Sequence, residues 1–255
     1  MKAIRVLLML LFVLVVIGGV VAWTLPADLA LRWFRPNLGP LQLSGISGTV
    51  WEGRAGAVGA FGKPLGAIDW HVEKTPLIFR QVVAHFTLGG GPISAGGNAT
   101  RDPDGSVLVR DVKFSFPAEL AAPALDIPAL KLLGTIDGSL AEGRIIGGWI
   151  AGARGNARWR EAGVIGQAEA RFGDVVAEFA SAPDGSIAGT VKDDGSSSLV
   201  VDGQFVVRSG EFDATVRLGA RAEDNQLREA LRYIGEPQAD GSSLLKIHGQ
   251  LLKLF

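Results

Sequence analysis

Residues Leu43–Trp70 read LSGISGTVWEGRAGAVGAFGKPLGAIDW, and this stretch decides the fold that we expect for the 255-residue chain. It alternates glycines with apolar residues, a composition that makes a long helix costly and favours strands. A partial echo lies at Gly138–Trp159, GSLAEGRIIGGWIAGARGNARW. The echo matches Gly48, Glu52, Gly53 and Arg54 in phase with Gly138, Glu142, Gly143 and Arg144. This repetition indicates that one β-rich unit is used twice.

The chain beyond residue 40 has an apolar period of two. Apolar side chains alternate with polar ones in Val82–Leu88, Val112–Phe116 and Phe212–Leu218, which is typical of strands with one buried face. Turn motifs separate such segments: Asp102-Pro103-Asp104-Gly105, Pro183-Asp184-Gly185, Asp193-Asp194-Gly195 and Asp202-Gly203. Short connections favour antiparallel pairing. We therefore predict a mainly β fold, a curved and mostly antiparallel β-meander at 41–255, built from two related units at about 41–136 and 137–255.

The N-terminus predicts a membrane anchor. Val6–Leu25 contains no charged residue over twenty positions, enough for a helix to cross the roughly 30 Å hydrocarbon core. Lys2 and Arg5 precede it, which predicts a cytoplasmic N-terminus, with the bulk of the chain on the other side of the membrane. A cleaved signal peptide is the alternative, but its apolar core is usually shorter and no A-x-A site follows. We therefore expect residues 1–25 to form a cytoplasmic tip and a retained transmembrane helix.

Residues 26–40 are expected to form a membrane-exit linker. Pro26 suits the first position of a short helix at Ala27–Phe34. Trp23, Trp33 and Phe34 could lie at the membrane interface, where aromatic rings are enriched, or could be buried in a simple linker. The sequence leaves both alternatives open.

A second helix is predicted near the C-terminus, at Asn225–Ile234. Its apolar residues fall at i, i+3, i+4 and i+7, namely Leu227, Ala230, Leu231 and Ile234. The chain then returns to a strand at Leu244–Leu251. This helix could cover one end of the sheet or could merely connect two strands.

The composition argues against most kinds of chemistry. With 25 basic and 26 acidic residues, the chain has no excess positive charge with which to attract nucleic acid. It has no cysteine. His71, His85 and His248 are each predicted on a polar strand face, without a second histidine at metal-ligand spacing. No G-x-S-x-G motif is present. We expect no enzyme activity, no metal site and no cofactor.

Three segments carry a resemblance to a known family: GISGTVWEGRA at 45–55, LGAIDWHV at 65–72 and LRYIGEPQADGSSLLKIHGQL at 231–251. In order and spacing they resemble protein N of the type II secretion system of Gram-negative bacteria. The resemblance implies an accessory, single-pass inner-membrane component that works with other type II secretion proteins and has no known catalytic residues. The echo departs from the pattern, since Ala141 stands where the first unit has Trp51.

Ten residues form the structural signature that we single out: Gly45, Gly48, Trp51, Gly53, Arg54, Trp70, Gly138, Trp159, Gly235 and Pro237. We expect Trp51 and Trp70 to pack in the core of the first unit. Arg54 is expected to pair with Glu52 or with a carboxylate on a neighbouring strand. The unit is interpreted as a structural corner, with docking onto partner proteins through open sheet edges.

A second function remains open at this point. An anchored sheet with an apolar inner face could hold acyl chains, as in the AsmA-like envelope proteins, to which the repeated meander bears a loose likeness. An apolar groove open to solvent would favour lipid binding or lipid transfer, whereas a closed and filled core would favour a docking module. Both functions need the same alternation of apolar residues, so the sequence does not separate them.

Overall fold

The computed structural model describes residues 23–34, 39–60, 62–125, 131–165, 169–221, 231 and 235–250. The predicted anchor at 6–25 falls outside these ranges except for its last three residues. Among the described residues, no helix has the length and apolar character needed to cross a membrane.

In the described ranges, fourteen strands form one sheet, and every neighbouring pair is antiparallel. The sheet order follows the sequence from β1 to β12 and then continues with β14 and β13. The strands are β1 Leu41–Gly48, β2 Glu52–Ala60, β3 Lys63–Glu73, β4 Val82–Gly89, β5 Ser94–Arg101, β6 Val107–Pro117, β7 Lys131–Ile146, β8 Trp149–Ile165, β9 Glu169–Ser181, β10 Ile187–Asp193, β11 Leu199–Arg208, β12 Glu211–Ala220, β13 Glu236–Pro237 and β14 Ser243–Gln250. The prediction of a mainly β, antiparallel fold is confirmed.

Little helix accompanies the sheet in the described ranges. Helix α1 spans Ala27–Phe34, as the sequence predicts, and contacts β1. Two 3₁₀ segments follow, Thr75–Phe79 between β3 and β4, and Ala118–Leu125 between β6 and β7. The second of these contacts both β7 and β14, which lie six positions apart in the sheet. Six strand spacings of a flat sheet would cover about 29 Å, so these contacts indicate that the sheet curves.

The two faces of the sheet differ in polarity. In β12, Phe212, Ala214, Val216 and Leu218 are buried or half-buried, while the alternating polar residues are exposed. The polar face carries arginine–aspartate pairs between strands, such as Arg54–Asp69 at 3.2 Å and Arg158–Asp174 at 3.1 Å. All three histidines are exposed, as predicted. The alternation of the sequence therefore describes the two faces correctly.

The core lies on one part of the apolar face rather than between two layers. One cluster of buried side chains joins β8, β9, β11 and β12, and consists of Ala162, Val175, Leu199, Val201, Val216, Leu218 and Leu231. Leu231 is the one described residue of the helix predicted at 225–234, and it is helical and buried. Its burial agrees with the covering position proposed for that helix, whose other residues lie outside the described ranges.

Glycines and aromatic rings pair across neighbouring strands. Gly53 lies opposite Trp70, Gly138 opposite Phe114, and Gly189 opposite Phe205. A Cβ atom on each glycine would come within 2.4, 2.4 and 2.5 Å of the facing ring. The rings therefore lie flat over bare backbone, an arrangement in which the aromatic side chain replaces the packing that glycine lacks. This pairing accounts for part of the high glycine content.

One expectation from the sequence needs correction. Asp202 and Gly203 lie inside β11 and not in a turn. A Cβ on Gly203 would meet the Thr215 carbonyl oxygen at 2.8 Å and Val216 at 2.9 Å. Close backbone approach, rather than turn geometry, requires this glycine. The expected boundary between units, at 136/137, falls within β7. The two-unit organisation stays a prediction.

The echo has a different structural setting from the first copy. Gly48 and Glu52 flank the turn between β1 and β2, whereas Gly138–Arg144 lies within the single strand β7. The match in sequence therefore extends to strands at Glu52–Arg54 and Glu142–Arg144, but not to the turn that follows Gly48.

Candidate functional site

The turn between β1 and β2 is organised by Thr49. The Thr49 hydroxyl oxygen accepts hydrogen bonds from the backbone N–H groups of Trp51, at 3.3 Å, and of Glu52, at 3.1 Å. The Thr49 N–H donates to the Glu52 carbonyl oxygen at 2.8 Å. Gly48 precedes it with φ +81°, and a Cβ there would lie 2.5 Å from the Glu52 carbonyl oxygen. Glycine and threonine at these positions therefore set the shape of the turn.

This turn joins residues 25 and 26, at the end of the predicted anchor, to the sheet. The Val50 N–H donates to the Leu25 carbonyl oxygen at 3.1 Å, and Pro26 forms an antiparallel bridge with Thr49. On the other side, the Val72 N–H donates to the Trp51 carbonyl oxygen at 2.6 Å. The turn thus lies between residues 25–26 and the end of β3, and we call these three elements the junction: residues 23–26, 49–52 and 71–74.

Helix α1 extends the junction along the first strand. Ala27 and Ala30 are buried on the side that faces the domain. Trp23 and Trp33 remain 64% and 70% exposed. The aromatic residues of the exit segment whose side chains are described are therefore not buried in a linker, which favours the interfacial alternative.

A lysine lies between two tryptophan rings at the junction. The Lys74 ammonium nitrogen is 3.3 Å from the ring centroid of Trp23 and 5.5 Å from that of Trp51. Both distances are within the range of cation–π attraction. A shallow cavity of about 440 Å³ opens beside them, with Glu52 and His71 in its wall. Lys74 was not singled out from the sequence. The pairing of β2 with β3 places Glu52 opposite His71. This pairing brings the end of β3, and with it Lys74, to this turn.

One signature residue, Trp51, lies in the junction itself, and five support it from β1, β2 and β3: Gly45, Gly48, Gly53, Arg54 and Trp70. Trp70 lies over Gly53, with the ring 2.4 Å from where a Cβ would be. Arg54 pairs with Asp69 on the neighbouring strand, its Nη1 atom lying 3.2 and 3.3 Å from the two carboxylate oxygens. This confirms the second of the two partners considered for Arg54. Gly45 has φ +63° within β1, between the paired residues Ser44 and Ile46.

Trp51 and Trp70 are half-buried rather than enclosed. The sequence reasoning expected them in a core, but the described residues of this region provide one layer of sheet, so one side of each ring stays accessible. The two tryptophans support the shape of the turn instead of filling an interior.

The other four signature residues lie elsewhere in the sheet. Gly138 on β7 faces Phe114, and the Trp159 indole N–H donates to the Leu133 carbonyl oxygen at 2.6 Å. Gly235 has φ +78° and approaches the Leu244 carbonyl oxygen, where a Cβ would lie at 2.5 Å. Pro237 lies in the edge strand β13, where a residue without an N–H is tolerated. The ten residues therefore do not form one site.

A row of polar side chains crosses the sheet next to the junction. His85 Nε2 lies 2.9 Å from a Glu73 carboxylate oxygen, and His85 Nδ1 lies 2.6 Å from the Asn98 amide oxygen. The hydrogen bonds to Glu73 and Asn98 raise the pKa of His85 above its ordinary value. His71 stacks on His85 with ring centroids 6.1 Å apart. The row is exposed to solvent, and no nucleophile lies within it.

The described residues contain no candidate metal-binding site. Within them, no three His, Asp or Glu side chains converge in a way that could hold an ion. The junction has a mechanical role. It fixes residues 23–26 to the start of the sheet through main-chain hydrogen bonds and the lysine–tryptophan contact.

Comparison with known proteins points to one family. The family model described as type II secretion system (T2SS), protein N, matches residues 39–245. Type II secretion system protein N of Vibrio cholerae serotype O1 is 27% identical over 250 residues, which cover 95% of this chain and 97% of that protein. Type II secretion system protein N of Aeromonas hydrophila is 24% identical over 257 residues, covering 97% of this chain and 99% of that protein. No solved structure matches the chain.

Proposed function

The chain belongs to the type II secretion system protein N family, and on that premise we propose that it is an accessory, non-catalytic scaffold of the type II secretion machinery. In this proposal residues 6–25 form a single inner-membrane anchor with a cytoplasmic N-terminus. Residues 26–40 leave the membrane, and residues 41–255 form a periplasmic domain that docks onto other secretion proteins.

The edge of the sheet at β14 carries the docking part of the proposal. The terminal strand β13 pairs with Ser243 and Leu244 only. Within the described ranges, no strand lies beside Lys246–Gln250 on the side away from β12. A strand edge with free N–H and C=O groups is a template for strand addition by a partner.

The opposite edge is less suitable for strand addition. Gly45 and Gly48 both have positive φ in β1, and Pro26 and α1 contact the first strand and its turn. Irregular backbone of this kind discourages pairing with another chain. The proposal therefore assigns docking to β14 and attachment of the anchor to the junction.

Site-specific photocrosslinking in intact membranes tests the docking edge. A photoreactive amino acid at Lys246 or His248, both exposed on β14, should capture another secretion component. The control position is Thr190, which is exposed on β10 in the middle of the sheet and should capture none. Capture of lipid or detergent alone from β14 would contradict the docking proposal.

The non-enzymatic part rests on the exposed polar row at His71 and His85. A general base needs an orienting partner and a site from which bulk water is excluded. His85 has a partner in Glu73, yet it lies on an open strand face with roughly half of its side chain exposed. An unchanged secretion phenotype of the His85→Gln variant, expressed at the level of the parent protein, is expected.

A lipid-binding function is the second candidate, and the accessible apolar face favours it. In β4 and β6, Phe86, Phe114 and Phe116 are half-buried on the same face, and in the described ranges no second sheet covers them. An exposed apolar surface of this extent commonly binds a partner or a lipid.

The two candidates differ in what the purified protein carries. Mass spectrometry of the detergent-extracted protein should detect no stoichiometric phospholipid if the chain is a docking module. Deletion of the gene should reduce secretion in the same case. Stoichiometric phospholipid together with unchanged secretion would favour the lipid-binding function.

A further inference from the structure

The loop between β3 and β4 presents two large apolar side chains to solvent. Ile78 and Phe79, at the end of the 3₁₀ segment Thr75–Phe79, are 79% and 71% exposed. They exceed in exposure every other large hydrophobic residue in the described ranges. Two adjacent side chains of this size at a loop tip are unusual for a surface that faces only water.

This loop has a defined conformation. The Arg80 N–H donates to the Leu77 carbonyl oxygen at 2.9 Å, and the Gln81 N–H donates to the Pro76 carbonyl oxygen at 3.2 Å. The Gln81 side chain donates to the Asp102 carboxylate at 2.9 Å, which ties the loop to the turn after β5. The hydrogen bonds hold the tip in one shape, so the exposure of Ile78 and Phe79 is built into the loop.

The loop begins where the apolar N-terminal segment ends. Lys74, the residue before the 3₁₀ segment, places its ammonium nitrogen 3.3 Å from the ring centroid of Trp23. Trp23 lies near the end of the charge-free stretch Val6–Leu25. A bilayer that contains this stretch therefore ends close to the start of the loop, because a tryptophan at that position lies at headgroup level.

Charge around the tip matches a membrane surface that carries anionic lipid. Lys74 and Arg80 flank the 3₁₀ segment, and Arg101 lies opposite Val82 on the next strand. Three carboxylates also lie nearby: Glu52 lines the same cavity as Lys74, Glu73 contacts His85, and Asp102 accepts from Gln81. Among the described residues, none of the three forms an ion pair with Lys74, Arg80 or Arg101. Apolar tips flanked by basic residues are typical of segments that enter the interfacial region of anionic bilayers.

We propose that Ile78 and Phe79 insert into the interfacial region of the inner membrane next to the anchor, with Lys74 and Arg80 at the lipid headgroups. The inference rests on the proposed anchor at residues 6–25. It gives the domain two points of attachment to one bilayer, the anchor and the loop. Two points fix the tilt of the sheet relative to the membrane, which a single flexible attachment does not.

The absence of cysteine allows a direct test with single-cysteine variants of the full chain. Phe79→Cys, labelled with an environment-sensitive NBD dye, is reconstituted into vesicles of phosphatidylethanolamine and phosphatidylglycerol. The matched control is Pro92→Cys in the exposed turn at the other end of β4. The eight residues of β4 place that position about 26 Å from the loop. Lipids with a quencher near the headgroup should quench the dye at position 79 at least twofold more than at position 92.

A second variant keeps both apolar side chains in place. Thr75→Cys carries the dye on the exposed first residue of the 3₁₀ segment. Its quenching by lipid should fall when Ile78 and Phe79 are both changed to Ser. Unchanged far-UV circular dichroism of this variant would show that the sheet is intact.

The outcomes separate the inference from the proposed anchor. Release of the protein from the vesicles by alkaline carbonate would contradict the anchor itself. Retention in the membrane, with equal and water-like emission at positions 79 and 92, would overturn the insertion of the loop alone. Shielding of position 79 in native membranes but not in pure lipid vesicles would also overturn it, because the loop would then contact a protein.

Discussion

The packing of Trp70 on Gly53 gives the sharpest quantitative prediction. Gly53→Ala would place a Cβ 2.4 Å from the Trp70 ring and 2.8 Å from the Thr49 carbonyl oxygen. Real atoms do not approach so closely, so the ring or the turn must move. Overpacking of this kind costs about 1–3 kcal/mol of unfolding free energy. For a β domain of this size the loss corresponds to a fall in Tm of about 2–12 °C.

Gly89→Ala is the matched control for this substitution. Gly89 is the last residue of β4, the strand that pairs with β3. Its φ is not positive, and a Cβ there would meet no atom within 4 Å. The same chemical change at Gly89 should be neutral or should stabilise the protein by about 0.4–1 kcal/mol, since it reduces the entropy of the unfolded chain. The difference between the two variants isolates the contact with the ring.

A double-mutant cycle assigns the cost to Trp70. When Trp70 is changed to Ala, the ring is absent and only the contact with the Thr49 carbonyl oxygen opposes the new methyl group. Gly53→Ala should then cost less than it does in the parent, by about 1 kcal/mol. Thermal unfolding of the detergent-solubilised chain, followed by circular dichroism, provides the measurement. Equal losses at positions 53 and 89, or the same cost of Gly53→Ala with and without Trp70, would refute the reasoning.

Three further predictions concern charged groups. Lys74→Met should lower the unfolding free energy in urea by about 0.5–1 kcal/mol, because it removes a cation from two tryptophan rings. The pKa of His85 is raised, chiefly by its hydrogen bond to Glu73. The contribution of protonated His85 to the stability of the fold is therefore complete below about pH 6.5 and is lost as the pH rises through the raised pKa. Glu73→Gln should lower that pKa in an NMR titration. The pKa of Asp184 is lowered because the Ser186 hydroxyl and N–H donate to its carboxylate. The contribution of ionised Asp184 to the stability of the fold is present above about pH 3.9 and is lost as the pH falls through the lowered pKa. Ser186→Ala should raise that pKa.

Each of these predictions has a control in the chain. Lys63→Met removes an exposed lysine from the other end of β3 and should leave stability within about 0.5 kcal/mol of the parent. His248, whose pKa is raised by Asp213, should keep its titration in the Glu73→Gln variant. Asp240, which accepts from Ser242 in the same geometry, should keep its titration in Ser186→Ala. An unchanged pKa of His85 in the Glu73→Gln variant would contradict the assigned hydrogen bond.

Local features of the fold were predictable from the sequence because they depend on neighbouring residues. The period of two in Phe212–Leu218 sets which face each side chain occupies, and the structure has that pattern. The turns at 102–105 and 183–185 form as expected, with Gly105 and Gly185 at positive φ and hydrogen bonds back to residues 102 and 182. Pro26 likewise starts the helix at Ala27. In each case the chemistry of three or four consecutive residues is sufficient.

Pairings between distant residues could not be read from the sequence. The alternation predicts that Trp70 lies on an apolar face, but only the register of β2 against β3 places it over Gly53. Asp202-Gly203 is a turn motif by composition, yet the approach of β12 makes it part of β11. The contact of Lys74 with Trp23 joins segments about fifty residues apart, so no local pattern signals it.

The strict neighbour-to-neighbour order of the strands has a consequence for how the chain folds. From β1 to β12 each strand pairs with the strand that precedes it and the strand that follows it, so most contacts between elements join neighbours along the chain. Such a topology has a low contact order, and folding does not wait for distant segments to meet. With the N-terminus held by the proposed anchor, the chain can add one hairpin at a time as it emerges. The pairing of β14 on β12 departs from this order of neighbours, because residues 221–242 separate the two strands.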